Sequence, residues 1–171
     1  PTDNDKDFFL KSCMDPFLNQ KEKIISEDKN EGIIKRVTKI TCEKHIFICT
    51  DCYEACEEGI FVTSTLHCAK GKGFVPRFGK AFRLDESFDD VLYVGRNGES
   101  YADMKEQFQI EEVSCKVSDM TEPNIRPQES GNRCDCRMVS ISDGKWDVIF
   151  KAVESPFELG IKQYLSLIHI S

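Results

Sequence analysis

Nine cysteines constrain this chain more than any other feature, and they are not evenly spread. They stand at positions 13, 42, 49, 52, 56, 68, 115, 134 and 136. Four of them, with His45, fall inside the fifteen residues "CEKHIFICTDCYEAC" from Cys42 to Cys56. An even set would read as a pure disulfide framework, but nine leaves one over, and the isolated Cys13 is the natural spare. The remaining Cys42, Cys49, Cys52, Cys56, Cys68, Cys115, Cys134 and Cys136 admit on the order of a hundred pairings, among which spacing does not choose. Disulfides belong to oxidising compartments, so this reading predicts an extracellular, secreted protein.

The alternative is an intracellular zinc-binding interaction protein. Cys49-Thr-Asp-Cys52 has the C-x2-C spacing that lets two thiolates reach one tetrahedral ion, and Cys134-Asp-Cys136 would supply the second pair. The second pair lies far along the chain and has one intervening residue instead of two, which counts against a zinc ribbon. No cofactor is implied beyond that alternative.

The fold class follows from periodicity. From Ile33 the chain is rich in β-branched residues: "IIKRVTKITC", "KHIFIC" and "GIFVTSTLHC". Asn97-Gly98 predicts a two-residue hairpin turn that opposes Arg96 to Glu99 and Val94 to Tyr101. Asp143-Gly144 predicts another, with Ile141 facing Trp146 and Val139 facing Val148, which places Trp146 in the core. "EEVSCKV" reads as a further strand, and "SDMTEPNIRPQESGNR" as a long loop. Helices are predicted at the two ends. In "DPFLNQKEKIISED", Asp15 caps, Pro16 opens, and Phe17, Leu18, Lys21, Ile24 and Ile25 share one side. In "SPFELGIKQYL", Ser155 and Glu158 form a capping box. The expectation is a mainly β (α+β) domain of antiparallel hairpins in two sheets. Residues 1–32 form a polar arm, 33–153 the cysteine-rich β domain, and 154–171 a short helix and tail.

The charge of −7 across 171 residues argues against general nucleic-acid affinity. One segment departs from it. "AKGKGFVPRFGKAFR" carries Lys70, Lys72, Arg77, Lys80 and Arg83, interleaved with phenylalanines, and no carboxylate lies between Glu58 and Asp85. That pattern points to an anionic glycan or protein as ligand, set against a loop whose phenylalanines turn inward. Gly71-Lys72-Gly73 is not a nucleotide motif, because Pro76 stands where a third glycine is needed. Asp85, Asp89 and Asp90 lack a calcium-loop pattern. Neither H-E-x-x-H nor G-x-S-x-G occurs, which leaves only a cysteine nucleophile with His45 or His67 as a catalytic arrangement, and the chain is expected not to be an enzyme. No apolar run reaches the roughly 20 residues of a membrane helix. No N-x-[ST] sequon occurs.

At "CTDC", "STLHC" and "CDCRMVSISDGKW" the chain resembles nematode secreted six-cysteine domains, which place cysteines on β-strands and end on a cysteine…DGxW strand. That resemblance implies an extracellular disulfide module without assigned chemistry. The terminal "SLIHIS" resembles translated sequencing adapter, and the Pro-Thr-Asp start suits a mature or truncated form. The combined expectation is a secreted, disulfide-stabilised, non-enzymatic binding module.

Overall fold

A computed structural model describes residues 21–42, 45–72, 75, 78–120 and 131–162. The chain divides into two compact units, Pro1–Gly79 and Lys80–Ser171. Both are antiparallel β structures, so the mainly β, hairpin-built expectation holds.

The first unit is a four-stranded meander in the order β1-β2-β3-β4: β1 Lys21–Asn30, β2 Ile33–Cys42, β3 His45–Cys56 and β4 Gly59–Lys70. Asn30 and Ile33 close around Glu31-Gly32, with Gly32 at φ +73°, a left-handed value that glycine adopts at little cost. The Gly32 carbonyl also accepts from Ala55 N at 2.7 Å, which ties this turn to β3.

Register sorts the side chains onto two faces. One face carries Ile40–Phe47–Cys68, Thr38–Cys49–Leu66, Arg36–Asp51–Ser64 and Ile34–Tyr53–Val62 in successive rows across β2, β3 and β4. His45, Phe47, Cys49 and Asp51 on this face are buried. The other face is mixed: Lys35, Lys39, Thr50, Thr63 and His67 alternate across the strands with Val37, Ile46, Ile48 and Phe61.

The N-terminal helix is not formed where the chain is described. Lys21–Asn30 is a strand paired along its length with β2, and residues 15–20 lie outside the described set. The adjacent Ile24 and Ile25 produced the helical spacing. In the sheet a register shift between Ile24 and Ser26 absorbs Ile25 as a bulge, so two consecutive apolar residues fit one edge strand. Glu27 then pairs with Arg36 at 2.6 Å and with Lys29 at 2.9 Å.

The second unit holds β5 Asp90–Arg96, β6 Ile110–Lys116, β7 Asn132–Cys136, β8 Met138–Ser142, β9 Asp147–Lys151 and β10 Phe157–Gly160. β6-β5-β8-β9 form one sheet, and β10 pairs with β7 in a second. Val91, Tyr93, Val117, Met120, Cys136, Val139 and Ile141 make the core, with Phe88, Phe150, Phe157 and Leu159 packed on it.

Three sequence expectations are corrected here. The Asn97-Gly98 hairpin does not close, because β5 pairs instead with β6, Arg96 opposite Ile110, across a long excursion. Asn97 N donates to Gln109 O at 2.9 Å at its neck. The β8–β9 hairpin closes two residues later than its Asp-Gly signal: Ile141 faces Val148 and Ser142 faces Asp147. The turn is therefore Asp143-Gly144-Lys145-Trp146, and Asp143 Oδ1 accepts from Lys145 N at 2.8 Å and Trp146 N at 2.6 Å. A shift of two residues preserves which face each side chain takes. Only Trp146 is expelled, and it is 65% exposed. The C-terminal helix is replaced by β10. Phe157 and Leu159 alternate inward with Glu158 and Gly160 outward, a period of two. Glu158 does not close a capping box: its Oε2 accepts from Asn132 Nδ2 at 3.5 Å.

Candidate functional site

The basic segment lies on both sides of the division between the units. Lys70 ends β4 and Lys72 follows it in the first unit; Lys80 and Arg83 belong to the second. Arg77 lies outside the described residues. Phe78 and Phe82 are exposed rather than turned inward, although the Phe82 ring still meets Phe150 at 4.8 Å. What the structure builds at the start of this segment is a latch. His45 is buried, its Nε2 lies 2.9 Å from Lys72 O, and its ring stacks on Phe47 at 6.0 Å. Gly71, at φ +106°, presses on that ring: a Cβ there would stand 2.3 Å from His45 Cδ2. The glycine in "KGKG" thus makes room for an imidazole.

The disulfide assignment for Cys42, Cys49, Cys52, Cys56, Cys68, Cys115, Cys134 and Cys136 is overturned, since all eight are thiols. Cys13 lies outside the described residues. Register supplies the reason. Cys42 stands opposite His45, Cys49 opposite Thr38 and Leu66, Cys52 opposite Lys35 and Thr63, and Cys56 opposite Gly59. Cys68 stands opposite Phe47, and Cys115 opposite Val91. No described cysteine has another directly across the ladder, where a bridge between neighbouring strands would need it.

The zinc alternative meets a similar obstacle. Cys49 and Cys52 lie three residues apart on one strand, so they project to opposite faces. Cys134 and Cys136 belong to the other unit, and no three metal-ligating side chains converge among the described residues. Burial raises the thiol pKa of Cys115 and Cys134, and pushes Cys136 to about 12, with the charge of Cys134 adding and Arg133 opposing. These three stay protonated near neutral pH, the wrong state for a nucleophile.

The densest polar arrangement is one that motif reading missed, centred on β7. Ser100 is fully buried, and Asn132 and Arg133 nearly so. Asn132 Nδ2 donates to Ser100 O at 2.7 Å, Ser100 N donates to Asn132 O at 2.9 Å, and Cys134 N donates to Ser100 Oγ at 2.9 Å. Arg133 Nε donates to Tyr93 Oη and its Nη1 to Asn132 O, each at 3.2 Å. Glu99 Oε1 accepts from Tyr101 Oη at 2.7 Å and from Gly131 N at 3.2 Å.

At the rim, Asp135 accepts from Arg96 Nε and Lys105 Nζ, each at 2.9 Å, while Arg96 Nη1 donates to Phe108 O at 2.6 Å. Lys105 and then Arg96 hold the Asp135 carboxyl below the usual carboxylate range. These donors all aim at the chain's own acceptors. The arrangement is a brace: it fastens the excursion between β5 and β6 onto β7, and its chemistry is positional.

The profile of the family described as "Beta galactosidase small chain" matches residues 1–166. A beta-galactosidase of Staphylococcus xylosus is 36% identical over 77 residues, 44% of this chain and 8% of that protein. One of Halalkalibacterium halodurans is 32% identical over 108 residues, 60% of this chain and 11% of that protein. One of Streptococcus thermophilus is 31% identical over 101 residues, 58% and 10% of the two chains. The chain spans about a tenth of the length of these curated relatives.

Proposed function

From the premise that the chain belongs to the beta-galactosidase small chain family, we propose that it is the small-chain portion of a beta-galactosidase and takes part in hydrolysis of β-galactosidic bonds together with polypeptide outside this chain. The observation that carries the reading is the family match over residues 1–166. It overturns the resemblance to nematode secreted six-cysteine domains. With the thiols of the described cysteines, it also overturns the secreted, disulfide-stabilised binding module. The expectation of a protein unconnected with enzyme activity falls as well, since the relatives are named beta-galactosidases.

Glycoside hydrolysis ordinarily needs two carboxyl groups flanking the bond, one of them an acid with a raised pKa. Four carboxyls of this chain do not suit the acid role. Glu27, Asp85, Asp135 and Asp143 are each held below the usual range, Glu27 and Asp135 by neighbouring cations and the other two first by backbone N–H donors. A carboxyl stabilised in its charged form suits ion pairing and capping, not proton donation. In this reading the chain supplies scaffold, and the polypeptide outside it supplies the general acid and the nucleophile.

The test is a chimera. The homologous stretch of the Staphylococcus xylosus beta-galactosidase is replaced by this chain, and hydrolysis of nitrophenyl β-galactoside and β-glucoside is compared. The reading expects galactosidase activity well above that of the same enzyme with the stretch deleted. A soluble, folded chimera no more active than the deletion would contradict it.

A further inference from the structure

One face of the first unit's sheet is buried along the first half of β3 and open to water at the hairpin end. Along β3 that face runs from buried His45, Phe47, Cys49 and Asp51 to half-buried Tyr53. Its neighbours toward the two hairpin turns remain apolar but are open to water: Ile34 is 39% exposed, Val62 42% and Ile60 69%. Ile34, Tyr53 and Val62 are direct cross-strand partners in one row, and Ile60 lies opposite Ala55, one step farther on the same face. Ile24, opposite Thr38 on that face, is 53% exposed. The reverse face mixes Lys35, Lys39 and Thr63 with apolar Val37, Ile46 and Ile48, and at this end carries exposed Ile33 and Phe61; what marks the patch face for burial is the run of buried His45, Phe47, Cys49 and Asp51 along β3.

An aligned apolar row left open on the inward face of a sheet marks a contact surface. The two turns beside it, Glu31-Gly32 and Glu57-Glu58, carry exposed carboxylates, and Lys29, opposite Ile34 and paired with Glu27, flanks the same row, so the rim is of mixed charge.

We propose that this hairpin end, built on Ile34, Tyr53, Ile60 and Val62, is the surface on which the large polypeptide of the beta-galactosidase seats, through a complementary apolar patch. The inference rests on the functional reading above and goes beyond it in naming the surface. Two observations choose this occupant. The chain is matched along nearly its whole length by a small-chain family, and its curated relatives carry roughly nine times as much polypeptide outside the matched stretch. The open patch continues a face that is already buried farther along the same strands, as expected where a covering layer is completed by another part of the protein.

The experiment mixes the full 171-residue chain with the Staphylococcus xylosus beta-galactosidase polypeptide lacking its homologous stretch. Association is read by co-elution and titration, and activity on nitrophenyl β-galactoside. Ile60→Glu and Val62→Glu are compared with Val153→Glu, which replaces a side chain 71% exposed in the other unit. The expectation is association by the native chain, a loss of about thirtyfold or more with Ile60→Glu or Val62→Glu, and none with Val153→Glu. Hydroxyl-radical footprinting of the native mixture, which needs no variant, should protect Tyr53 and Ile60.

Association and activity unaffected by the patch variants, with no protection, would overturn the surface and leave the functional reading standing. Patch-dependent association without galactosidase activity would support the surface and overturn the functional reading. No association by the native chain counts against both. A native dimer that Ile60→Glu dissolves would assign the patch to a second copy. A large fall in the variant chain's own melting temperature would mean that the chain already covers the patch. Either result overturns the proposal.

Discussion

Asp135 is held at φ +55°, a conformation that costs a non-glycine residue on the order of 1 kcal/mol or more, and its carboxylate gathers Arg96 and Lys105. Its lowered pKa fixes the sign of a pH effect. A carboxyl depressed on folding contributes stability above its unfolded value near about 3.9, and that contribution is lost as pH falls through the folded value. Asp135→Asn keeps a residue that tolerates the backbone and removes the charge. Thermal melts should show a lower Tm at pH 7 and a difference that shrinks as pH falls below about 3.9; a difference that stays constant with pH would sink the ion-pair account. Gly71→Ala tests the latch. Its Cβ would meet the His45 ring at an unfavourable φ, so a loss of about 1–3 kcal/mol is expected, recovered in part by His45→Ala in a double-mutant cycle. The thiols offer a third check. Without reductant, exposed Cys56 and Cys68 should alkylate first and Cys136 among the last, and full labelling after denaturation should find the eight thiols. Eight cysteines inert until reduced would contradict the structure.

At the scale of elements, strands were legible wherever a two-residue period was backed by β-branched residues. β2, β3, β4 and β6 are examples. Ends and turns were not, because a local signal there competes with a tertiary one. Pro16 and the spacing of Ile24 and Ile25 resemble a helix start, but an edge strand gains a full ladder with β2 and needs only a bulge. Ser155 and Glu158 fit a capping box, yet Phe157 and Leu159 find the core only at strand spacing. Asp143-Gly144 signals a two-residue turn, while the Asp143 carboxylate takes two backbone N–H groups and stabilises a four-residue one. The register can be tested in one denaturation series. Trp146→Ala should change stability by less than about 0.5 kcal/mol, as exposed positions do, and Val139→Ala, 1% exposed, should cost roughly 2–3 kcal/mol. A loss of about 3 kcal/mol or more for Trp146→Ala would restore the tighter hairpin.

At the scale of the molecule, the cysteines pointed away from the family to which the chain belongs. Their number and crowding suggest a bridged extracellular domain, but a bridge requires two sulfurs brought within reach by the fold, which spacing along the chain does not carry. The β7 brace was hidden for a related reason: Ser100 and Asn132 are 32 residues apart in sequence and meet only when β7 forms. Membership in the beta-galactosidase small chain family extends over residues 1–166. If the chain is scaffold for a catalytic pair held elsewhere, a search for catalytic spacings within it has nothing to find. The most direct measurement is galactoside hydrolysis by three samples: the purified chain, the large polypeptide lacking this region, and the two together. Activity confined to the mixture is the predicted result; activity in the chain alone, or none in a mixture that demonstrably associates, would contradict it.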